Sequence, residues 1–267
     1  MKHAVVMTFP SKKWDVSGYC LKGFAENWPK EVQGYAIVEN PEDIPMEIPE
    51  NVTVIDFIDA CGMKQLAFEE RNEHRGIMDM GTTGNIAVQA AKFARKAHAQ
   101  LYVLENIDAD VIWYIDADLY THKPVKMDLL EKLSTGNHYI GCTPRWWKPN
   151  GYTETGLMMW KKHMTEQHNE WCKRYRSCYD DDKIFEIGSP GKNLPFELPN
   201  AWHDCVSFDY ATKSMLHENL ITIADFGYGV RSSHPLVSGP LGKWMDHMKG
   251  NRKFVGESKE RVRVHGK

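Results

Sequence analysis

The sequence predicts one α/β domain with a central, mostly parallel sheet flanked by helices. Three observations carry this. Apolar, β-rich segments alternate with helix-like ones through the first half of the chain. The clearest helical stripe (Ile86, Ala90, Phe93, Ala97, Leu101) leads into a solid apolar run at 111–115, VIWYI, and strand, helix, strand in that order implies parallel pairing with right-handed crossovers. No repeat, low-complexity tract or linker divides the 267 residues. Residues 1–242 are therefore read as the domain and 243–267 as a basic C-terminal extension.

Taken in order, residues 3–9 (HAVVMTF) read as a first strand that Pro10-Ser11 breaks. Residues 19–28 suit a short helix, and 34–38 (GYAIV) and 52–57 (VTVIDF) suit further strands, with Pro41, Pro45 and Pro49 in the loop between them. Gly81 to Gly84 forms a Thr/Gly turn ahead of the amphipathic helix, whose Lys92, Arg95 and Lys96 lie on its polar side. The 111–115 run is a buried strand ending in Asp116-Ala117-Asp118. Beyond it come a helix at 127–133, a strand at 138–142, an apolar strand at 156–160 (GLMMW), a charged amphipathic helix at 161–175 and a Gly/Pro/Asn-rich loop at 188–201.

Composition bounds the function. Hydrophobic residues make up 42% and charged residues 26% of the chain, as in globular proteins. No apolar run approaches the roughly 20 residues that span a bilayer. The short apolar N-terminus reads as a strand rather than a signal peptide. Six scattered cysteines without CxxC spacing offer neither a structural zinc site nor a disulfide framework, which predicts reduced thiols and a cytoplasmic location, the host's cytoplasm if the source is viral. Net charge is −3, yet residues 243–267 hold eight Lys/Arg against three Asp/Glu. The tail is therefore basic and the body acidic, which suits a solvated end or an arm for an anionic partner.

Asp116 and Asp118 are the leading site candidates. They stand where a buried strand ends, and ligands bind at the C-terminal ends of strands in open α/β sheets. A hard divalent cation satisfies two such carboxylates, with a diphosphate as further ligand. Three other segments join them. In Tyr152-Thr153-Glu154-Thr155-Gly156, one glycine marks close approach of the backbone to a ligand, with Glu154 or Thr155 facing it. In Ala201-Trp202-His203-Asp204-Cys205, Asp204 serves either as a helix cap or as a catalytic or acceptor-binding carboxylate. From His234 to Trp244, a histidine, Gly239, Gly242 and Lys243 combine a metal ligand, backbone donors and a cation for a diphosphate.

These segments, in this order, resemble the metal-dependent nucleotide-sugar glycosyltransferases of the GT-A fold, whose single domain is Rossmann-like. Within them the chain is most similar to family 8, the group of glycogenin and bacterial lipopolysaccharide galactosyltransferases. Asp116-Ala117-Asp118 matches the family's DxD, and Glu154-Thr155-Gly156 is similar to its Asn-Ala/Ser-Gly strand, with Glu in place of Asn. His203-Asp204-Cys205 is similar to its Asp-Gln-Asp segment, and His234 to Trp244 to its C-terminal HxxGxxKPW, with a longer His–Gly spacing and no Pro before Trp244.

The resemblance implies that Asp116, Asp118 and His234 hold Mn²⁺ or Mg²⁺, with His247 as the rival of His234. It implies that the donor is a nucleotide sugar, a UDP-sugar in the first instance, and that Lys243 and the Gly239 turn bind its diphosphate. Arg95 of the long helix would reach the donor sugar, and Thr8 would lie at the nucleotide. Asp204 and Glu154 would be the catalytic carboxylates. The acceptor hydroxyl belongs to a glycan or to a hydroxymethylated pyrimidine in DNA. Arg145-Trp146-Trp147-Lys148, with Trp202 beyond, interleaves rings and cations as a stacking platform for a displaced base would; a buried Trp pair is the plainer alternative. A sugar-nucleotide nucleotidyltransferase shares the sheet and the acids, but Phe9-Pro10-Ser11-Lys12-Lys13 lacks the Gly-rich loop expected of one. A non-catalytic sugar- or nucleotide-binding protein is the other alternative.

Overall fold

A computed structural model describes residues 1–10, 14–75, 89–232 and 234–248. Its centre is a seven-stranded sheet in the order β3-β2-β1-β4-β7-β6-β8. These strands are β1 (His3–Phe9), β2 (Gln33–Val38), β3 (Val52–Asp56), β4 (Val111–Asp116), β6 (Ile140–Thr143), β7 (Glu154–Lys161) and β8 (Ile223–Asp225). All pairings are parallel except those of β7, which runs against both β4 and β6. The sheet is thus mostly parallel, as the alternating elements predict.

The strands read as continuous apolar runs because both faces are covered. Ala4 and Val6 of β1, Ile112 and Tyr114 of β4, and Met158 and Trp160 of β7 enter one core layer. Val5, Met7, Val111, Trp113, Ile115, Leu157 and Met159, from the alternate positions, enter the other. The first layer is closed by α3 (Ala90–Asn106), α5 (Thr165–Asp180) and α7 (Asp204–His217); α1 (Trp14–Asn27) and α4 (Met127–Ser134) cover the second. Along α3, the buried Ala90, Ala94, Ala97, Leu101 and Leu104 recur every three or four residues. The described helix starts at Ala90; Ile86, the Gly81–Gly84 turn, Ser11-Lys12-Lys13 and residues 249–267 lie outside the described residues. The remaining helices are α2 (Met63–Asn72), α6 (Lys183–Ile187) and α8 (Pro235–Ser238).

Two short strands form a separate ribbon: β5 (Leu119–Thr121) pairs antiparallel with β9 (Met245–His247), placing Leu119 opposite His247. Residues 245–247, within the basic segment 243–267, are all buried and pair with β5. The acid pair lies between β4 and β5, so the ribbon brings the chain's C-terminal part to the sheet edge where β4 ends.

Candidate functional site

At that edge the ligand atoms of Asp116, Asp118 and His247 lie within 4.8 Å of one another. His247 Nε2 stands 3.0 Å from Asp118 Oδ1 and 3.7 Å from Asp116 Oδ2. Its Nδ1 faces Glu154 Oε1 at 3.1 Å. The histidine that meets the acid pair is therefore His247, the rival, and not His234. His234 stands at the N-terminus of α8, its Nδ1 3.7 Å from Glu154 Oε1. The physical reason is the β5–β9 pairing, which fixes His247 directly across from the residue after Asp118.

Glu154 has no exposed surface. It lies between the two imidazoles, and its Oε2 is 3.4 Å from the Leu236 amide. The neighbours of this carboxylate thus include His247, His234 and the Leu236 amide. Gly156 is the close approach that the sequence suggested, but what approaches is His247: a Cβ at Gly156 would meet that ring at 2.2 Å.

A lysine completes the centre. Lys96 Nζ is 2.7 Å from Asp116 Oδ1 and 2.7 Å from Asp204 Oδ2. It also bonds the Thr155 carbonyl at 3.2 Å and lies 4.8 Å over the Tyr114 ring. Thr155 Oγ1 donates to Asp204 Oδ2 at 2.7 Å. Burial alone would raise the Asp204 pKa, but the Lys96 charge and these hydrogen bonds hold it at about 2. Lys96, although desolvated, is pushed well above its ordinary value by Asp116 and Asp204. Asp204, in the first turn of α7, is thus a committed anion and a weak base. Burial and Asp116 raise the pKa of Tyr114, so its hydroxyl stays a neutral donor to Asp116 Oδ1 at 2.9 Å. Thr8, in register with Asp116, bonds Tyr114 in turn at 2.8 Å.

Arg95, the neighbour of Lys96, turns away from the acids. It pairs with Glu39 at 3.2 Å and Glu69 at 3.5 Å, because successive helical residues point about 100° apart. There it lines a cavity of about 290 Å³ with Thr8, Phe9, Phe57, Phe93 and Lys96. Two other expected donors differ. The Gly239 amide is committed to Pro235 O at 2.8 Å, and a Cβ there would meet that same oxygen at 2.5 Å, so Gly239 packs the turn instead of cradling a phosphate. Lys243 lies just before β9 with its side chain exposed. Of the aromatic platform, Arg145 is buried, Trp146 Nε1 donates to Asp209 Oδ2 at 3.1 Å, and Trp202 packs on Phe185. Trp147 remains 45% exposed.

The donor set tests whether a divalent ion fits. Two carboxylates and an imidazole converge, the far imidazole nitrogen is held by a carboxylate, and that arrangement is how ligating histidines are commonly fixed. Asp116 and Asp204 share the Lys96 ammonium, and Asp118 and Glu154 face the two nitrogens of His247. The ligand atoms of His203, Asp204 and Cys205 form a second close group. Among the described residues, no helix is long and apolar enough to cross a membrane.

Neither a protein-family model nor a curated protein matches the chain. Solved structures do overlap with it. The galactosyltransferase LgtC, in complex with donor and acceptor sugar analogs, gives a TM-score of 0.46 at 10% identity over 93% of this chain and 87% of that one. Mouse xyloside xylosyltransferase 1, in its apo form, gives 0.44 at 11% identity over 85% and 86%. The glycosyltransferase GlyE of Streptococcus pneumoniae TIGR4 gives 0.38 at 13% identity over 85% and 46%.

Proposed function

We propose that this chain is a divalent-metal-dependent glycosyltransferase that moves a sugar from a nucleoside diphosphate donor, a UDP-sugar, to a hydroxyl acceptor. The observation that carries the reading is the closure of Asp116 and Asp118 by His247, with Glu154 behind it, at the ligand edge of the sheet. The GT-A resemblance of the DxD segment supports it.

Asp116, Asp118 and His247 would hold Mn²⁺ or Mg²⁺. When bound, the ion supplies Lewis-acid charge to the leaving diphosphate. With Glu154 accepting from His247 Nδ1–H, the Nε2 lone pair would be left for the ion that the acids share. Lys96 fixes Asp116 and Asp204 and adds positive charge beside the diphosphate. The adjoining cavity, with aromatic walls and the Arg95–Glu39 pair at its rim, is of a size to take the nucleoside. In transfer, the acceptor oxygen bonds to the anomeric carbon as the bond from that carbon to the β-phosphate oxygen breaks. The hydroxyl proton passes to solvent or to the leaving phosphate.

The test is a screen of nucleotide sugars with Mn²⁺, reading release of nucleoside diphosphate. Release that needs the ion, and that Asp118→Asn abolishes in a folded protein, is the expected result. Absence of both release and metal-dependent nucleotide binding would remove the proposal. A requirement for a nucleoside triphosphate would replace it with a nucleotidyltransferase.

A further inference from the structure

Two loops leave adjacent parallel strands at the active edge. Loop 144–153 follows β6 and returns to Glu154; residues 226–232 follow β8, and His234 stands beyond them. The strands are in register at Cys142 and Asp225, and Phe226 N bonds Cys142 O at 2.7 Å. The loops therefore start side by side, and beyond them Glu154 and His234 meet at 3.7 Å. Each carries one exposed ring and one cation close behind it: Trp147, 45% exposed, with Lys148, and Tyr228, 60% exposed, with Arg231.

Both rings are held out by construction. Lys148 Nζ lies 5.9 Å from the Trp147 ring, and the loop is closed by Gly151 N donating to Lys148 O at 2.9 Å. Next to Trp147, Trp146 is anchored on the buried Asp209, which also accepts from Thr153 N and Oγ1. Tyr228 has φ +51°, a left-handed conformation that a bulky residue adopts only when its surroundings enforce it. Asp225 enforces it, accepting from Gly227 N at 2.8 Å and Gly229 N at 2.7 Å. A strained turn that lifts an aromatic ring into solvent does nothing for the core.

We infer that Trp147 and Tyr228 receive the acceptor, and that this acceptor is an unstacked nucleotide of a single-stranded or locally opened nucleic acid, carrying its hydroxyl on the base or as a ribose 2′-OH. The inference rests on the glycosyltransferase reading of the neighbouring site. Rings alone would suit a neutral sugar equally well. The cations decide: Lys148 lies by the Trp147 ring and Arg231 is exposed three residues after Tyr228, charge suited to phosphates on either side of a base. In sequence, residues 249–267, which follow β9, carry seven Lys/Arg against Glu257 and Glu260.

The experiment uses the full chain and fluorescence anisotropy with a labelled 12-nucleotide single-stranded DNA, the same sequence as RNA, and its duplex, at several salt concentrations. Manganese-dependent binding of UDP is measured alongside. Single strands should bind more tightly than duplex, and the DNA and RNA arms show which sugar is preferred. Trp147→Ala and Tyr228→Ala should each weaken binding about tenfold, Trp147→Phe should keep most of it, and UDP binding should be unchanged in all three. Lys148→Ala with Arg231→Ala should lower the salt dependence by about one unit of slope. The inference is overturned if the Ala variants bind like wild type, if only duplex binds, or if no nucleic acid binds while a neutral oligosaccharide alters Trp fluorescence. In those cases intact UDP binding leaves the transferase reading standing; loss of UDP binding in the wild-type chain removes that reading instead.

Discussion

His247 meets Glu154 through Nδ1 and Asp118 through Nε2, so its two nitrogens have separate tasks. Substituting His247 with Ala should lower divalent-metal affinity at least a hundredfold, whereas His234→Ala should cost far less. Manganese titration followed by calorimetry separates them, and equal losses would mean that both histidines ligate. Glu154→Gln should cost roughly 10- to 100-fold in metal affinity, the usual effect of losing a carboxylate behind a ligating histidine. Gly156→Ala places a methyl 2.2 Å from the His247 ring; metal affinity should fall with it while secondary structure persists, and a circular-dichroism spectrum with the titration reads both. At this scale the sequence was partly legible. The DxD shows itself through the apolar strand before it and Gly156 through its place at a strand start. The sequence does not show that Glu154 is completely buried. Arg95 and Lys96 are adjacent cations that only the phase of α3 against β4 can tell apart.

Between elements, the Lys96 ammonium ties α3 to β4 and to α7. Removing it as Lys96→Met leaves the buried Asp204 and the half-buried Asp116 without their cation, which should destabilise the fold by about 3–5 kcal/mol. Adding Asp204→Asn should recover part of that loss, and a double-mutant cycle in urea measures the recovery. A second tie, Asp209 of α7 to Thr153 and Trp146, responds to pH with the opposite sign from Asp204. Burial pushes the Asp209 carboxyl up to about 6, against the hydrogen bonds and Lys213 that lower it. Because its folded pKa is raised, the native state binds the extra proton, and stability falls as pH rises from about 4 through 6. Asp204, held at about 2, contributes stability above about 4 that is lost as pH falls toward 2. Thermal melts of wild type and Asp209→Asn from pH 3.5 to 7.5 should therefore differ by a pH-dependent amount, wild type losing ground by roughly 2–3 kcal/mol over the window. A constant difference would mean that Asp209 keeps one protonation state throughout. The sequence marks Trp146 and Trp147 as a pair; only the Asp209 contact divides them into an anchored ring and an exposed one.

Across the whole molecule, the ribbon of β5 and β9 decides where the domain ends. A chain stopped after residue 242 lacks β9, leaves β5 without its described partner and loses His247, so it should neither bind metal nor melt cooperatively. One stopped after residue 248 should do both, and should bind single-stranded nucleic acid more weakly than the full chain if the basic tail contributes. Scanning calorimetry with and without Mn²⁺ checks the pair of truncations.

The sequence by itself determined the alternation of strands and helices, the two-sided burial of the sheet, and the place of Asp116 and Asp118 at a strand end. Each of these follows from local periodicity and polarity, which a chain carries wherever it folds. Tertiary structure decided which histidine and which cation join the acids, and that Glu154 stands behind them. The choice of histidine depends on contacts between residues 93 and 129 positions apart, set by the pairing of two three-residue strands too short to announce themselves. Their register is fixed only when the layers pack and bring the end of β9 across the acid pair.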